Sequence, residues 1–151
     1  MSGDDPATEG HFAPETVAEA REQHESCGPA AKTVVRETAR AMGVDRDEYR
    51  ERVTGEVVET ARDALFASFL RVRVGSREAF EAWRAAYDGE VAETGSPDVE
   101  RVVWHAAPTG AVATTFHADR EAAVGTLRRQ AFGRLYRPAF EGARDDPTGG
   151  P

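Results

Sequence analysis

The sequence is poor in several residue types, and each shortage excludes something. Of its 19 basic residues only Lys32 is a lysine, and isoleucine and asparagine do not occur. The single cysteine, Cys27, excludes an intrachain disulfide framework. No apolar run reaches the roughly 18 residues that a membrane helix requires, so we expect no membrane association. The acidic residues 1–5 lack the basic and apolar regions of a signal peptide, so the sequence predicts a cytoplasmic protein.

The chain contains more acidic than basic residues. It has 27 acidic against 19 basic residues, for a net charge of -8. Arginine in place of lysine and valine in place of isoleucine are what GC-rich codons produce. Negative charge keeps a protein dispersed, and at about 1 M salt a Debye length of about 3 Å makes the self-repulsion small. These features favour a salt-loving archaeon as the source; a GC-rich actinobacterial protein is the alternative.

The hydrophobic pattern predicts a single α+β domain over residues 12–140, flanked by flexible acidic tails at 1–11 and 141–151. N-terminal helices come first, followed by a small, mainly antiparallel sheet of about four strands and a C-terminal helix. Proline at the first helical position and glycine after the last one mark two of the helices. Capping residues mark the others. The predicted helix starts are Pro14, Pro29, Asp45, Thr54, Ser76 and Asp119.

A β-hairpin is predicted where residues 102–106 and 111–116 flank the turn-forming Pro108-Thr109-Gly110. If the turn closes symmetrically about Thr109, His105 pairs with Ala113. That register places Val102, Trp104, Ala106, Val112 and Phe116 on the core face. The opposite, solvent-facing side then carries Arg101, His105, Thr115 and His117. Shorter strands are predicted at 70–74 and 90–94.

No catalytic set, metal site or cofactor site is predicted from the residues. His24 and Cys27 lie three apart and could share a helical face, but zinc needs three or four ligands and no second pair of suitable spacing is evident. His105 and His117 would be about 13 Å apart along the sheet, too far to share a metal. Neither a P-loop nor a dinucleotide-binding glycine motif occurs.

Residues 101–140 carry six arginines against two acids. Four of these arginines lie among aromatic residues of the last helix, which resembles the interleaving found in nucleic-acid-binding proteins. On a helical wheel, however, they spread around most of the helix, and high salt weakens phosphate contacts steeply. We therefore predict a candidate interaction surface formed by His105, His117, Arg128, Arg129, Arg134 and Arg137. Residues 39–53 have a faint helix-turn-helix spacing, with a near-neutral second helix unsuited to phosphate.

Three segments carry a family resemblance: Glu48 to Gly55, Val102 to Pro108, and Glu121 to Arg134. With them, the chain resembles a family of small haloarchaeal proteins of unknown function over residues 12–138. The resemblance implies no activity and no site residues. It agrees with the salt-adapted interpretation.

The sequence predicts a non-enzymatic binding or protein-interaction module, with a protein partner or a second copy as its ligand. Two alternatives remain open. One is nucleic-acid binding through the arginine-rich last helix, although nucleic acid is the less favoured partner. The other is a small-molecule enzyme with a site near Trp104 and His105.

Overall fold

The computed structural model describes residues 6–145 and confirms the α+β class. The strands are β1 (Ala7–Glu9), β2 (Val72–Ser76), β3 (Val91–Thr94), β4 (Arg101–Ala107) and β5 (Gly110–Phe116). The helices are α1 (Val17–Ser26), α2 (Gly28–Ala41), α3 (Arg46–Arg52), α4 (Gly55–Ser68), α5 (Arg77–Ala86), α6 (Arg120–Ala131) and α7 (Arg137–Asp145). A π-helical turn, Phe132–Tyr136, joins α6 to α7.

Side chains cap five of the helices, four of them at positions that the sequence predicts. A side-chain oxygen accepts a hydrogen bond from the backbone amide three residues further on at Thr16, Asp45, Thr54, Ser76 and Asp119. Asp45 and Glu48 form the reciprocal capping box. Gly43, with φ of 74°, ends α2 in the left-handed conformation expected of it. The first helix begins three residues later than predicted, at Val17 instead of Pro14, because the side chain of Thr16 caps it.

The five strands form one sheet in the order β1-β2-β4-β5-β3. All neighbouring strands are antiparallel except β3 and β5, which are parallel. The sheet therefore has the mainly antiparallel character that was predicted, with β1 and β3 at its edges.

The predicted hairpin register is wrong by one residue. Ala107 pairs with Gly110 across a two-residue turn, and His105 pairs with Val112 instead of Ala113. Because side chains alternate between the faces of a strand, this single step moves Val112 and Phe116 to the face opposite Trp104.

Both faces of the sheet are covered. On one face, Val103, Val112 and Phe116 belong to a large core that includes Phe66 of α4 and Leu127 of α6. On the other face, Val102, Trp104 and Ala113 pack with Phe80 of α5. The nearly continuous apolar run of β4 from Val102 to Ala107, which only His105 interrupts, reflects this two-sided burial.

The structure places secondary structure in parts of the two segments that the sequence predicts as tails. Residues 7–9 form β1 and pair with β2 at the sheet edge, with Ala7 opposite Val74. At the other end, α7 continues to Asp145. The rest of the predicted tails, residues 1–5 and 146–151, lie outside the described residues. Within residues 6–145, no helix combines the length and the apolar character needed to cross a membrane.

Candidate binding groove

His105 is buried, contrary to the prediction that it faces solvent. It is 2 % exposed and lies on the α4/α6 side of the sheet, which is covered by the large core instead of facing solvent. Nδ1 must donate to the carbonyl of Arg71, so Nε2 accepts from the hydroxyl of Tyr136 at 2.7 Å. Burial, reinforced by the nearby Arg128 and Arg73, lowers the pKa of His105 to about 4. Burial likewise raises the pKa of the Tyr136 hydroxyl.

The structure separates the residues of the predicted enzymatic site. Trp104 and His105 are neighbours in β4 and therefore point to opposite faces of the sheet. Trp104 packs against Phe80 and Trp83 on the α5 side. His105 lies among groups of the opposite core, so the two side chains do not line a common cleft.

The predicted interaction surface is likewise divided. His117 lies exposed after β5. Arg128 is partly buried and donates through Nε to the carbonyl of Leu70 at 2.9 Å, and burial lowers its pKa. Arg137 places its guanidinium 5.1 Å from the centre of the Phe132 ring. Arg129 and Arg134 are exposed. His105 and Arg128 are thus held inside the fold, and four residues of the predicted surface remain accessible.

A more prominent surface lies on the helical arm, which we define as α2, α3 and α4. The C-terminal end of α4 anchors the arm, since Phe66 and Ala67 are buried in the main core. Helix α2 packs along α4, and no residue of α3 is buried. Away from the buried end of α4 and from α1, the apolar faces of α2 and α4 pack mainly against each other.

Between α2 and α4 runs an apolar groove of about 450 Å³. Its lining is Val34, Val35, Thr38, Ala39, Met42, Val44, Arg52, Val53, Val57, Thr60, Ala61 and Ala64. Three large apolar side chains on its rim are unusually exposed: Val34 at 45 %, Met42 at 67 % and Val57 at 40 %. The fold leaves this apolar surface open to solvent.

Beside the groove lies an arginine shelf, which we define as Arg36, Arg40, Arg46 and Arg50. Together with Tyr49 and Asp45 these side chains line an open cavity of about 660 Å³, which shares Ala39 and Val44 with the groove. Arg40 makes an exposed ion pair with Glu37 at 3.4 Å, which contributes little to stability. Within residues 6–145, no ion pair joins Arg36, Arg46 or Arg50 to a carboxylate. The shelf is a positive surface on an acidic molecule.

Sequence reasoning missed the shelf because it examined α3 alone. Counted along the chain, the charges of α3 nearly cancel. In space, Arg46 and Arg50 join the i,i+4 pair Arg36 and Arg40 of α2. Glu48 is occupied by the capping box and by an ion pair with Arg52. The signal available in the sequence was the arginine pairs at i,i+4 spacing in two consecutive helices.

One cluster could hold a metal ion. His24 of α1 and Glu59 and Asp63 of α4 offer ligand atoms that all lie within 4.8 Å of one another. His24 is buried, and its Nε2 lies 2.7 Å from Oδ1 of Asp63. Cys27, the other predicted ligand candidate near His24, is also buried, and burial raises the pKa of its thiol.

Comparison with known proteins identifies a family. The sequence model of a family of unknown function (DUF5809) matches residues 11–137, more than four-fifths of the chain. No curated protein and no solved structure matches the chain.

Proposed function

We propose, on the premise that the chain belongs to this family of unknown function, that it is a non-enzymatic protein-binding module. Its groove would receive an amphipathic helix of a partner protein, with apolar residues facing α2 and α4 and acidic residues facing the arginine shelf. The observation that carries the proposal is the open apolar groove with the arginine shelf beside it.

The exposed apolar rim supports a macromolecular ligand. Contiguous exposed apolar surface rimmed by polar groups is typical of interaction sites. Covering Val34, Met42 and Val57 would remove apolar surface from water, at roughly 25 cal/mol for each Å² buried. That gain is available to any partner that fills the groove.

The dimensions of the groove suit a helix. Val34 and Met42 are eight residues apart on α2, which is about 12 Å along the helix axis, or about two turns. An incoming helix of two turns or more presents apolar side chains at i, i+3 or i+4, and i+7. That repeat matches the length of exposed rim along α2.

Charge distribution favours an acidic partner. The whole chain carries -8, so a generally acidic protein is repelled over most of the surface. At the shelf, Arg36, Arg46 and Arg50 make no ion pair with a carboxylate of the described residues 6–145. Carboxylates of the incoming helix would supply those partners, fixing its orientation more than adding affinity.

The experiment uses synthetic helices as probes. Two labelled amphipathic peptides share the same leucine repeat and differ only in their flanking residues, glutamate in one and lysine in the other. Fluorescence anisotropy should show the glutamate peptide binding more tightly at 0.2 M KCl, and a scrambled leucine pattern not binding.

The variant Met42→Glu places a charge in the groove and should weaken binding of the glutamate peptide at least about tenfold, or about 1.4 kcal/mol. Arg46→Ser with Arg50→Ser should remove the preference between the two peptides. Ala122→Glu makes an equal change in charge at an exposed position of α6. It serves as the matched control and should leave binding unchanged. Equal affinity for the scrambled peptide would contradict the proposal. So would a dimer that Met42→Glu dissociates, because the groove would then be occupied by a second copy.

We further propose that the protein works in the cytoplasm of a salt-loving archaeon. The support is compositional: one lysine among 19 basic residues, together with an excess of acid. In such a cytoplasm the shelf contacts would be screened within about 3 Å at 1 M salt. Binding there would depend mainly on the groove, whose apolar contacts do not weaken in brine. The dependence of stability on KCl concentration tests this proposal.

A further inference from the structure

We propose that His24, Glu59 and Asp63 form a binding site for a divalent transition-metal ion that joins α1 to α4. The proposal is independent of the groove. It begins from the convergence of one imidazole nitrogen and two carboxylates from two helices, with all three ligand atoms within 4.8 Å of one another.

The spacing of the residues produces this convergence. Glu59 and Asp63 are four residues apart in α4, so their carboxylates lie on the same helix face. His24 approaches from α1, and its ring is fixed by contacts with Phe66, Phe132 and Phe140. A ligand whose ring is already oriented loses little freedom when it coordinates an ion.

The proton between His24 and Asp63 occupies the position that an ion would take. Nε2 and Oδ1 are 2.7 Å apart. Around zinc, N and O ligands at about 2.1 Å in tetrahedral geometry would be roughly 3.4 Å apart. The two side chains therefore need to separate by less than about 1 Å for an ion to enter between them.

The ligand types select the class of ion. A set of one imidazole and two carboxylates suits Zn²⁺, Co²⁺ or Mn²⁺, whereas Mg²⁺ prefers oxygen ligands alone. The remaining coordination positions would be filled by water. Half-exposed Glu59 gives access, because it lines an open cavity of about 440 Å³ together with Arg62.

Arg62 is the competing cation. It makes an ion pair with Oε1 of Glu59, and hydrogen bonding to that carboxylate raises the pKa of the guanidinium. A bound ion would have to share Glu59 with Arg62 or displace it. Removing the positive charge of Arg62 should therefore tighten metal binding, an effect that a purely structural cluster would not show.

The test uses the full chain with CoCl2 and ZnCl2. Titration at pH 7.5 should give a saturable Co²⁺ absorption band, one equivalent of Zn²⁺ by calorimetry, and a rise in melting temperature. Asp63→Asn and Glu59→Gln should each weaken binding at least about tenfold. Arg62→Gln should strengthen it. Glu56→Gln, an exposed carboxylate in the same helix, is the matched control and should change nothing.

Both ligand variants leave buried His24 in place, so circular dichroism can verify that they fold before metal is added. Absence of saturable binding by the wild-type chain would overturn the proposal. Equal Zn²⁺ affinity in the double variant E59Q/D63N would do so as well, since the ion would then lie elsewhere. Weaker binding in Arg62→Gln would also contradict it.

Discussion

The hydrogen bond between His105 and Tyr136 shows how a single buried side chain can make the stability of the fold depend on pH. The Arg71 carbonyl can only accept, which fixes the proton on Nδ1 and leaves Nε2 to accept from Tyr136. A second proton on the ring would be buried, and it would leave the Tyr136 hydroxyl without its acceptor. The fold therefore stabilises the neutral imidazole.

Stability should fall in acid because of His105. Its pKa drops from an ordinary value of 6.5 to about 4 on folding. Between these values the unfolded chain binds a proton that the folded chain does not, so stability present above pH 6.5 is lost as the pH falls to about 4. The loss should be on the order of 3 kcal/mol.

Urea unfolding at several pH values from 4 to 7 gives the free energy of unfolding of the wild type and of His105→Gln as a function of pH. The difference between the two slopes measures the loss. His117→Gln, an exposed histidine, is the control and should keep the wild-type slope. If His105→Gln does not fold, NMR titration of the His105 ring gives the pKa directly. A midpoint near 6.5 would contradict the expectation.

At the scale of elements, local signals were sufficient for the helices and insufficient for strand pairing. Each helix cap is a contact between residues three apart, and sequence reasoning located Asp45, Thr54, Ser76 and Asp119 correctly. The hairpin register depended on whether the turn holds two residues or three, which local sequence left open. The nearly continuous apolar run of residues 102–107, which only His105 interrupts, was the missed signal for burial on both faces.

Two glycines should respond in opposite directions to alanine. Gly125 lies inside α6, where an added Cβ meets only the end of Arg129 at 3.6 Å. Gly125→Ala should therefore stabilise the fold by about 0.5 to 1 kcal/mol. Gly95 has a φ of +94°, and an added Cβ would collide with the side chain of Thr115. Gly95→Ala should destabilise the fold by more than about 1 kcal/mol.

Chemical denaturation of both variants checks this prediction. The two substitutions add the same atoms, so each serves as the control for the other. A destabilised Gly125→Ala variant would show that α6 requires the glycine for a reason beyond helix propensity.

At the scale of the molecule, the hydrophobic pattern predicted the α+β class correctly, but the sequence did not predict which surfaces the fold exposes. The sequence predicted an interaction surface on the arginine-rich last helix. In the structure, Arg128 of that helix donates a hydrogen bond to the carbonyl of Leu70. The shelf and the metal cluster arise from residues far apart in sequence, Arg36 with Arg50 and His24 with Asp63. Such juxtapositions depend on how α2 and α1 pack against α3 and α4, which no local pattern specifies.

Salt should stabilise the protein well beyond the range in which it screens charge. Screening is nearly complete at about 1 M, where the Debye length is about 3 Å. A protein adapted to brine should continue to gain stability above that point. We expect a rise in melting temperature of at least about 6 °C between 1 and 3 M KCl, equivalent to about 2 kcal/mol.

Thermal melts followed by circular dichroism over 0.1 to 3 M KCl measure this gain. An ordinary acidic protein should level off near 1 M, which makes the upper part of the curve decisive. A melting temperature that falls above 1 M would exclude the salt-adapted interpretation.

The pairing of edge strand β1 with β2 determines when β1 can join the sheet during synthesis. Ala7–Glu9 leaves the ribosome long before its partner Val72–Ser76 has been translated. The four helices α1 to α4 are synthesised before β1 can join the sheet. Residues 7–9 therefore take their place in the sheet only after α1 to α4 and β2 have been synthesised.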